Sequence, residues 1–336
     1  MAQEEFLKKL LKLYPYVVTI FFVLIIGIYS IYQTMVPVFL PSPGKELYIA
    51  PKTSLREISN TLEREGIVRS AFFFRLYLGA TDRALTIKPG KYVFEGSLDF
   101  QKLSNTLTKG GEGISVTIPE GLTLIEIQDI LKSNGLKVNF STLRLADFPE
   151  SELLKYFSSS TPLEGFLAPD TYEFFPEEKN TEIAQKFLKN FNKKFLPEIL
   201  KHADENLYQK LILASIIEKE VRQLEDGKIV AGILEKRITS GKRLEVDSTA
   251  AYERCIAYPC SWAVSSSQLK TATPYNTYRI SGYPPTPISN PSVWALTASL
   301  EPQPSQFWYY LTNKNGKTIF AKTFVEHTRN IRKYLK

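Results

Sequence analysis

Between Lys12 and Lys45 the chain carries no Lys, Arg, Asp or Glu. Inside that window Tyr16 to Met35 reads YVVTIFFVLIIGIYSIYQTM. A bilayer core about 30 Å thick takes about 20 mostly apolar residues at 1.5 Å each, so this segment is long enough to cross one. Tyr14, Tyr16, Tyr29 and Tyr32 stand near its ends, where rings at headgroup level are favoured. Pro15 and Pro37, poor in a helix interior, bracket it. Lys8, Lys9 and Lys12 precede it, and the positive-inside bias then places the N-terminus in the cytoplasm. A cleaved signal peptide would have a shorter apolar core, about 7–15 residues, followed by a small-residue cleavage site. Here Val36, Pro37, Val38, Phe39, Leu40 and Pro41 follow instead. The expectation is a cytoplasmic 1–12, a retained single-pass anchor over 13–36 in the cytoplasmic (inner) membrane, and a Pro-rich spacer over 37–44. The rest then folds on the periplasmic, extracytoplasmic side.

About 290 residues follow the anchor, enough for two domains of ordinary size. With 43% hydrophobic and 23% charged residues the chain is globular rather than disordered. The formal charge of +7 comes from scattered Lys and Arg, and no basic run with interleaved aromatics points to nucleic acid. Only Cys255 and Cys260 occur, and on the outer side their short spacing fits either a disulfide or two free thiols. His202 and His327 are far apart, and no His/Cys cluster has the spacing of a zinc site.

An internal repeat follows the spacer. Ser54-Leu55-x-Glu57-Ile58-x-x-x-Leu62-x-x-x-Gly66 matches Thr123-Leu124-x-Glu126-Ile127-x-x-x-Leu131-x-x-x-Gly135 at a constant offset of 69 residues. Ser54 and Thr123 are N-cap types, and the apolar spacing behind them is helical. Gly66 and Gly135 sit where a helix C-cap is expected. Each helix follows a short apolar strand ending in Pro51 or Pro119. Two related α/β modules over 45–155 are therefore expected, either to bind something or to extend the chain's reach. Between them Gly90 to Phe94 reads as turn and strand, Phe100 to Leu107 as a helix, and Gly110, Gly111 and Gly113 as a flexible joint. From 156 to 336 the texture is that of a loop-rich α+β domain, with helical periods over Thr181–Phe195 and Asn206–Arg222 and many prolines after Pro274.

The chemistry-bearing segment is Leu211-Ile212-Leu213-Ala214-Ser215-Ile216-Ile217-Glu218-Lys219-Glu220. On a helix Glu218 shares a face with Leu211, Ala214, Ser215 and Val221, while Glu220 turns toward Ile216 and Ile217. Burial on an apolar face raises a carboxyl pKa, as a general acid needs near neutral pH. The competing reading is a structural ion pair with Lys219 or Arg222. Leu244-Glu245-Val246-Asp247-Ser248-Thr249 supplies further carboxylates. Thr273-Pro274-Tyr275-Asn276-Thr277-Tyr278-Arg279 combines rings and hydrogen-bonding groups, as carbohydrate sites do. No nucleophile elbow or Ser-x-x-Lys motif competes.

At these residues the chain resembles the endolytic murein transglycosylases of the MltG/YceG-like family. The matching stretches, in order, are Pro119-Glu120-Gly121, Leu163-Glu164-Gly165-Phe166-Leu167-x-Pro169-Asp170-Thr171-Tyr172, Leu213 to Glu220, Pro274-Tyr275-Asn276-Thr277-Tyr278, Pro284-Pro285-x-Pro287-Ile288-x-Asn290-Pro291 and Phe320 to His327. The repeated units resemble LysM modules. The resemblance implies a peptidoglycan lytic transglycosylase, a carbon–oxygen lyase, with Glu218 as its catalytic residue and a YceG-like α+β domain to carry it. The family usually has Asn-Arg-Leu where this chain has Lys236-Arg237-Ile238, and Leu-Gln-x-Asp-Pro-Thr where it has Leu244 to Thr249. Arg237 and Asp247 are kept, while Glu245 puts an acid in place of an amide.

By that resemblance Glu218 gives its proton to the glycosidic oxygen between N-acetylmuramic acid and N-acetylglucosamine. It then takes one from the muramic C6 hydroxyl, which closes a 1,6-anhydro ring; no metal or organic cofactor takes part. Glu220, Arg237, Glu245, Asp247, Tyr275, Asn276 and Tyr278 are expected to line the glycan groove. The implied partners are nascent glycan strands and, near them, penicillin-binding synthases. The rival readings are a non-catalytic wall-binding or synthase-docking protein and a hydrolase leaving reducing ends.

Overall fold

A computed structural model describes residues 2–50, 53–81, 83, 87–175, 178–202, 206–256 and 260–335; in the first helix it describes the side chains at 14 and 16–32. Two compact units divide at Gly113/Ile114.

The first unit contains α1 (Ala2–Met35), β1 (Val38–Ile49), α2 (Leu55–Arg64), α3 (Ala71–Ala80), β2 (Gly90–Leu98) and α4 (Phe100–Lys109). The described side chains of α1 are exposed on nearly every face. Among the described residues no helix is long and apolar enough to cross a membrane. The anchor expected over 13–36 takes in side chains at 13, 15 and 33–35 that lie outside the described residues, as do those of Lys8, Lys9 and Lys12. β1 and β2 pair antiparallel, with Leu47 opposite Tyr92 and Ile49 opposite Gly90. The Ser54 hydroxyl accepts from Glu57 N (3.2 Å) and the Glu57 carboxylate accepts from Ser54 N (3.1 Å), a reciprocal cap that starts α2. Ile58, Leu62, Phe74, Leu78, Phe94 and Leu103 then close a core of this unit's own. Gly111, expected in a flexible joint, is instead locked against Gly90: a Cβ there would fall 2.5 Å from the Gly90 carbonyl carbon.

The second unit opens with β3 (Ile114–Ile118), α5 (Leu124–Ser133), two single 3-10 turns and β4 (Asp170–Phe174). Thr123 and Glu126 repeat the reciprocal cap, and β3 and β4 pair antiparallel with Val116 opposite Tyr172. Both repeat units are thus a strand, a boxed helix and a returning strand. They differ in how they are filled. The second does not close on itself: Ile127, Leu131 and Phe140 join one cluster with Phe166, Phe187, Phe191, Leu211 and Leu296. The change of texture at 156 therefore falls inside a continuous core, which runs on from Ile114.

That core is completed by α6 (Asn180–Lys194), α7 (Leu196–Leu200) and α8 (Leu207–Glu220). Next come α9 (Leu224–Thr239), α10 (Asp247–Cys255), α11 (Val293–Leu300), the hairpin β5 (Tyr309–Thr312) and β6 (Thr318–Ala321), and α12 (Phe324–Tyr334). α8 is buried at every position from Leu211 to Ile217. Leu211 and Ala214 pack into the first cluster, while Ile212, Leu213, Ile216 and Ile217 pack into a second with Val230, Leu234 and Ile288. A helix apolar all round is a central helix, and its polar last turn emerges where the two cores meet. The fold is mixed α+β, as the sequence predicts.

Candidate active site

The last turn of α8 faces the first turn of α11. Ser292 is the N-cap of α11; its hydroxyl accepts from Ala295 N (3.3 Å). The same hydroxyl donates to Glu218 Oε2 (2.5 Å), and Ser292 N donates to that oxygen as well (2.9 Å). Glu218 therefore has one oxygen tied to a helix N-terminus, where unsatisfied N–H groups favour negative charge. Among the described residues nothing donates to Oε1, and it is not one of the buried unpaired atoms.

The turn Pro119-Glu120-Gly121 closes the other side. Gly121 has φ 75°, and a Cβ there would sit 3.3 Å from Glu218 Cγ. Asn290 holds this turn: Gly121 N donates to Asn290 O (2.9 Å) and Asn290 N to Leu122 O (2.8 Å). Lys219 Nζ donates to Gly121 O (2.9 Å) and lies 3.7 Å from the centre of the Trp262 ring. Burial raises the Glu218 pKa above the usual carboxylate range; the Ser292 hydrogen bonds oppose it, Glu120 adds to it and Lys219 opposes it. Burial lowers that of Lys219.

Behind this turn lies a second carboxyl group that is almost wholly enclosed. Glu164 accepts from Leu124 N at the start of α5 (3.0 Å), from Asn290 Nδ2 (2.9 Å) and from the Tyr252 hydroxyl (2.9 Å). Asn290 Oδ1 accepts from Gly165 N (2.9 Å) and Leu167 N (2.8 Å). Burial pushes the Glu164 pKa up to about 7 against these donors. The network joins the turn at Gly121, the loop at Gly165 and the Pro291 turn, so it fixes the floor under Glu218.

Glu220 is two residues beyond Glu218, about 200° around the helix, and belongs to a different hollow. It lines a cleft of ≈ 480 Å³ with Lys219, Arg237, Glu245, Asp247 and Tyr278, walled by Trp308, Tyr309, Tyr310 and His327. Ser248 donates to Glu220 Oε1 (2.8 Å), and burial pushes its pKa up to about 7, with Asp247 adding to the rise. The Tyr278 hydroxyl donates to Asp247 Oδ1 (2.7 Å). Arg237 is buried, donating to Arg243 O (2.8 Å) and Trp308 O (3.2 Å) and ion-paired with Glu245. Glu245 has φ 55°, the one non-glycine positive φ among the described residues. His327 stacks on Tyr309 with its Nδ1 buried and unpaired.

Of the residues expected to line a groove, Glu220, Arg237, Glu245, Asp247 and Tyr278 come together in this cleft. Glu218 does not line it. Tyr275 and Asn276 do not reach it either. Tyr275 packs on Tyr252 with its hydroxyl on Thr286 (2.8 Å). Asn276 is 1% exposed and spends its amide on the carbonyls of Gln268, Leu269 and Thr271, so it organises a loop. Cys255 and Cys260 form a disulfide, Cα atoms 4.1 Å apart; residues 257–259 between them lie outside the described residues. Ser292, Gly121, Glu164, Asn290, Trp262 and Tyr310 carried no role in the sequence. Gly121, Glu164 and Asn290 sit in its motif stretches, but nothing local says that they converge on α8.

The sequence profile of the YceG-like family matches residues 47–333. An endolytic murein transglycosylase of Bacillus subtilis is 27% identical over 301 residues, covering 84% of this chain and 82% of the relative. One of Streptococcus pneumoniae is 26% identical over 314 residues, covering 84% of this chain but 57% of the relative. The crystal structure of a yceG-like protein from Listeria monocytogenes superposes with a TM-score of 0.52 at 28% identity, covering 85% of this chain and 98% of the other.

Proposed function

The chain belongs to the YceG-like family, and on that premise we propose that it is an endolytic murein transglycosylase in which Glu218 is the acid and then the base. The observation that carries this reading is the division of labour between the two Glu218 oxygens. Oε2 is held by Ser292, while Oε1 accepts no hydrogen bond among the described residues, which supports Oε1 as the atom that exchanges the proton. Burial raises the Glu218 pKa, which keeps the proton on at higher pH than an exposed carboxyl would.

The protonated Glu218 donates to the oxygen linking N-acetylmuramic acid to N-acetylglucosamine, and the C1–O bond breaks through an oxocarbenium-like transition state. The Glu218 carboxylate then accepts the proton of the muramic C6 hydroxyl as that oxygen bonds to C1. The products are a 1,6-anhydro end and a free 4-hydroxyl; the proton is returned and no water is consumed. The Ser292 donors and the N-terminus of α11 stabilise the carboxylate that exists between the two transfers. The aromatic and acidic cleft at Glu220, Arg237, Asp247 and Tyr278 extends the glycan groove past Lys219.

The same reading makes residues 13–36 a membrane anchor, supported by a continuous 34-residue helix whose described apolar side chains are exposed all round. The two strand–helix–strand units, the second completed by β4, serve as LysM-like glycan grips, and nascent strands close to their synthases are the substrate. The deciding experiment digests sacculi or nascent strands with the purified protein and analyses the muropeptides. Anhydro ends with the wild type, and none with Glu218→Gln while glycan binding persists, are expected. Reducing ends would mean a hydrolase; no release at all would leave a binding protein.

A further inference from the structure

α3 is apolar on the side it turns away from its core as well as on the side it buries. Ala71, Phe74 and Leu78 point inward, yet Phe72 is 61% and Leu76 58% exposed. These two are four apart, so they form one outward patch a turn long.

The position of α3 within its unit says what covers this patch. α3 runs beside the last turns of α1: the Phe73 ring meets the Tyr29 ring edge-on with centroids 6.0 Å apart. Arg69, just before α3, donates to the carbonyls of Val36 and Pro37 and lies 4.9 Å from the centre of the Tyr32 ring. α3 is thereby held at the level of Tyr29 and Tyr32. On the anchor reading above, which this inference requires, those two tyrosines mark the outer headgroup boundary. They lie about 4.5 Å apart along α1, so whatever is fixed to both has a defined depth. An apolar pair held there meets lipid rather than water.

We propose that α3 is an interfacial membrane-contact helix, with Phe72 and Leu76 inserted at the acyl–headgroup boundary of the outer leaflet. The partner is the phospholipid surface itself. Arg69 and Arg75 flank the patch with their guanidinium groups turned to protein acceptors, Arg69 to the Val36 and Pro37 carbonyls and Arg75 to Asn60 Oδ1 (3.1 Å), which leaves Phe72 and Leu76 as the groups that enter the bilayer. The unit carrying the first repeat is then held to the bilayer at two places, α1 and α3, instead of swinging from one tether.

The test uses the full-length chain in vesicles of phosphatidylethanolamine and phosphatidylglycerol doped with a phospholipid bearing a photoreactive diazirine near the headgroup. Peptides are mapped after illumination. Label on α3 at Phe72 and Leu76, beside label on α1, is the expected result, with α2 as the aqueous control. Phe72→Ser with Leu76→Ser should lower α3 labelling to the α2 level and leave α1 labelled. If wild-type α1 is labelled and α3 is not, the contact-helix inference is wrong while the anchor stands. If neither is labelled, the anchor reading falls and takes this one with it.

Discussion

Ser292 holds Glu218 with the same hydroxyl that caps α11. One serine thus sets both the start of a helix and the protonation of the carboxyl group at its N-terminus. Ser292→Ala should cost about 1 kcal/mol of stability as a lost N-cap. It also removes a hydrogen bond that lowers the Glu218 pKa, so the pKa rises further and the alkaline limb of the pH–activity profile moves to higher pH. Ser292→Thr should restore both. An unchanged limb in the alanine variant would separate Ser292 from the chemistry.

Glu218 and Glu220 face opposite sides of α8, which makes their roles separable. Glu218→Gln should lower release of anhydro-muropeptides by about 10²–10⁴-fold, the usual worth of a general acid or base. Glu220→Gln keeps an acceptor for Ser248 and should stay within about tenfold of wild type, well short of a lost general acid or base. The reverse ranking would transfer the catalytic role to the cleft at Glu220.

Gly121→Ala tests the turn over Glu218. At φ 75° an alanine costs about 1–2 kcal/mol, and its Cβ would crowd Glu218 Cγ at 3.3 Å. The Glu218 side chain must then give by a few tenths of an ångström, which disturbs its hydrogen bonds to Ser292. Activity should fall by more than about tenfold, beyond what the stability loss explains in a protein still folded at assay temperature. Thermal melting beside turnover measures the two.

Glu164 and Glu220 both have folded-state pKa values pushed up to about 7, from 4.5. The folded state therefore binds protons more tightly than the unfolded chain. Their contribution to stability is complete below about pH 4.5 and is lost as the pH rises through about 7. Denaturant midpoints should fall from about pH 5 to about pH 8. Glu164→Gln, whose amide can still accept from Leu124 N and donate to the Tyr252 oxygen, should flatten this slope. Glu164→Ala, which strands three donors, should lower stability at both pH values.

Much of the architecture could be read in one dimension because its causes are local. The boxed helices at Ser54 and Thr123 were legible from residue type and spacing, since a cap is satisfied within four residues. α8 was legible as a helix, but the expected apolar face for Glu218 was not informative, because α8 is apolar on every face. Asn276 reads like a sugar ligand and proves to be a loop staple, a distinction that depends on which carbonyls the fold brings to it.

The long uncharged run at the N-terminus, the 69-residue repeat and the ordered motif stretches were determined by sequence alone, through periodicity and composition. The tertiary structure decided which residues of those motifs meet. Ser292 and Gly121 reach Glu218 across 74 and 97 residues of chain, counted from their numbers. Only packing brings them there, through a buried Glu164–Asn290 network that ties the Gly121 turn to the Pro291 turn. A pKa is a property of that enclosure, so the carboxyl group's chemistry could not be assigned until the fold had closed around it.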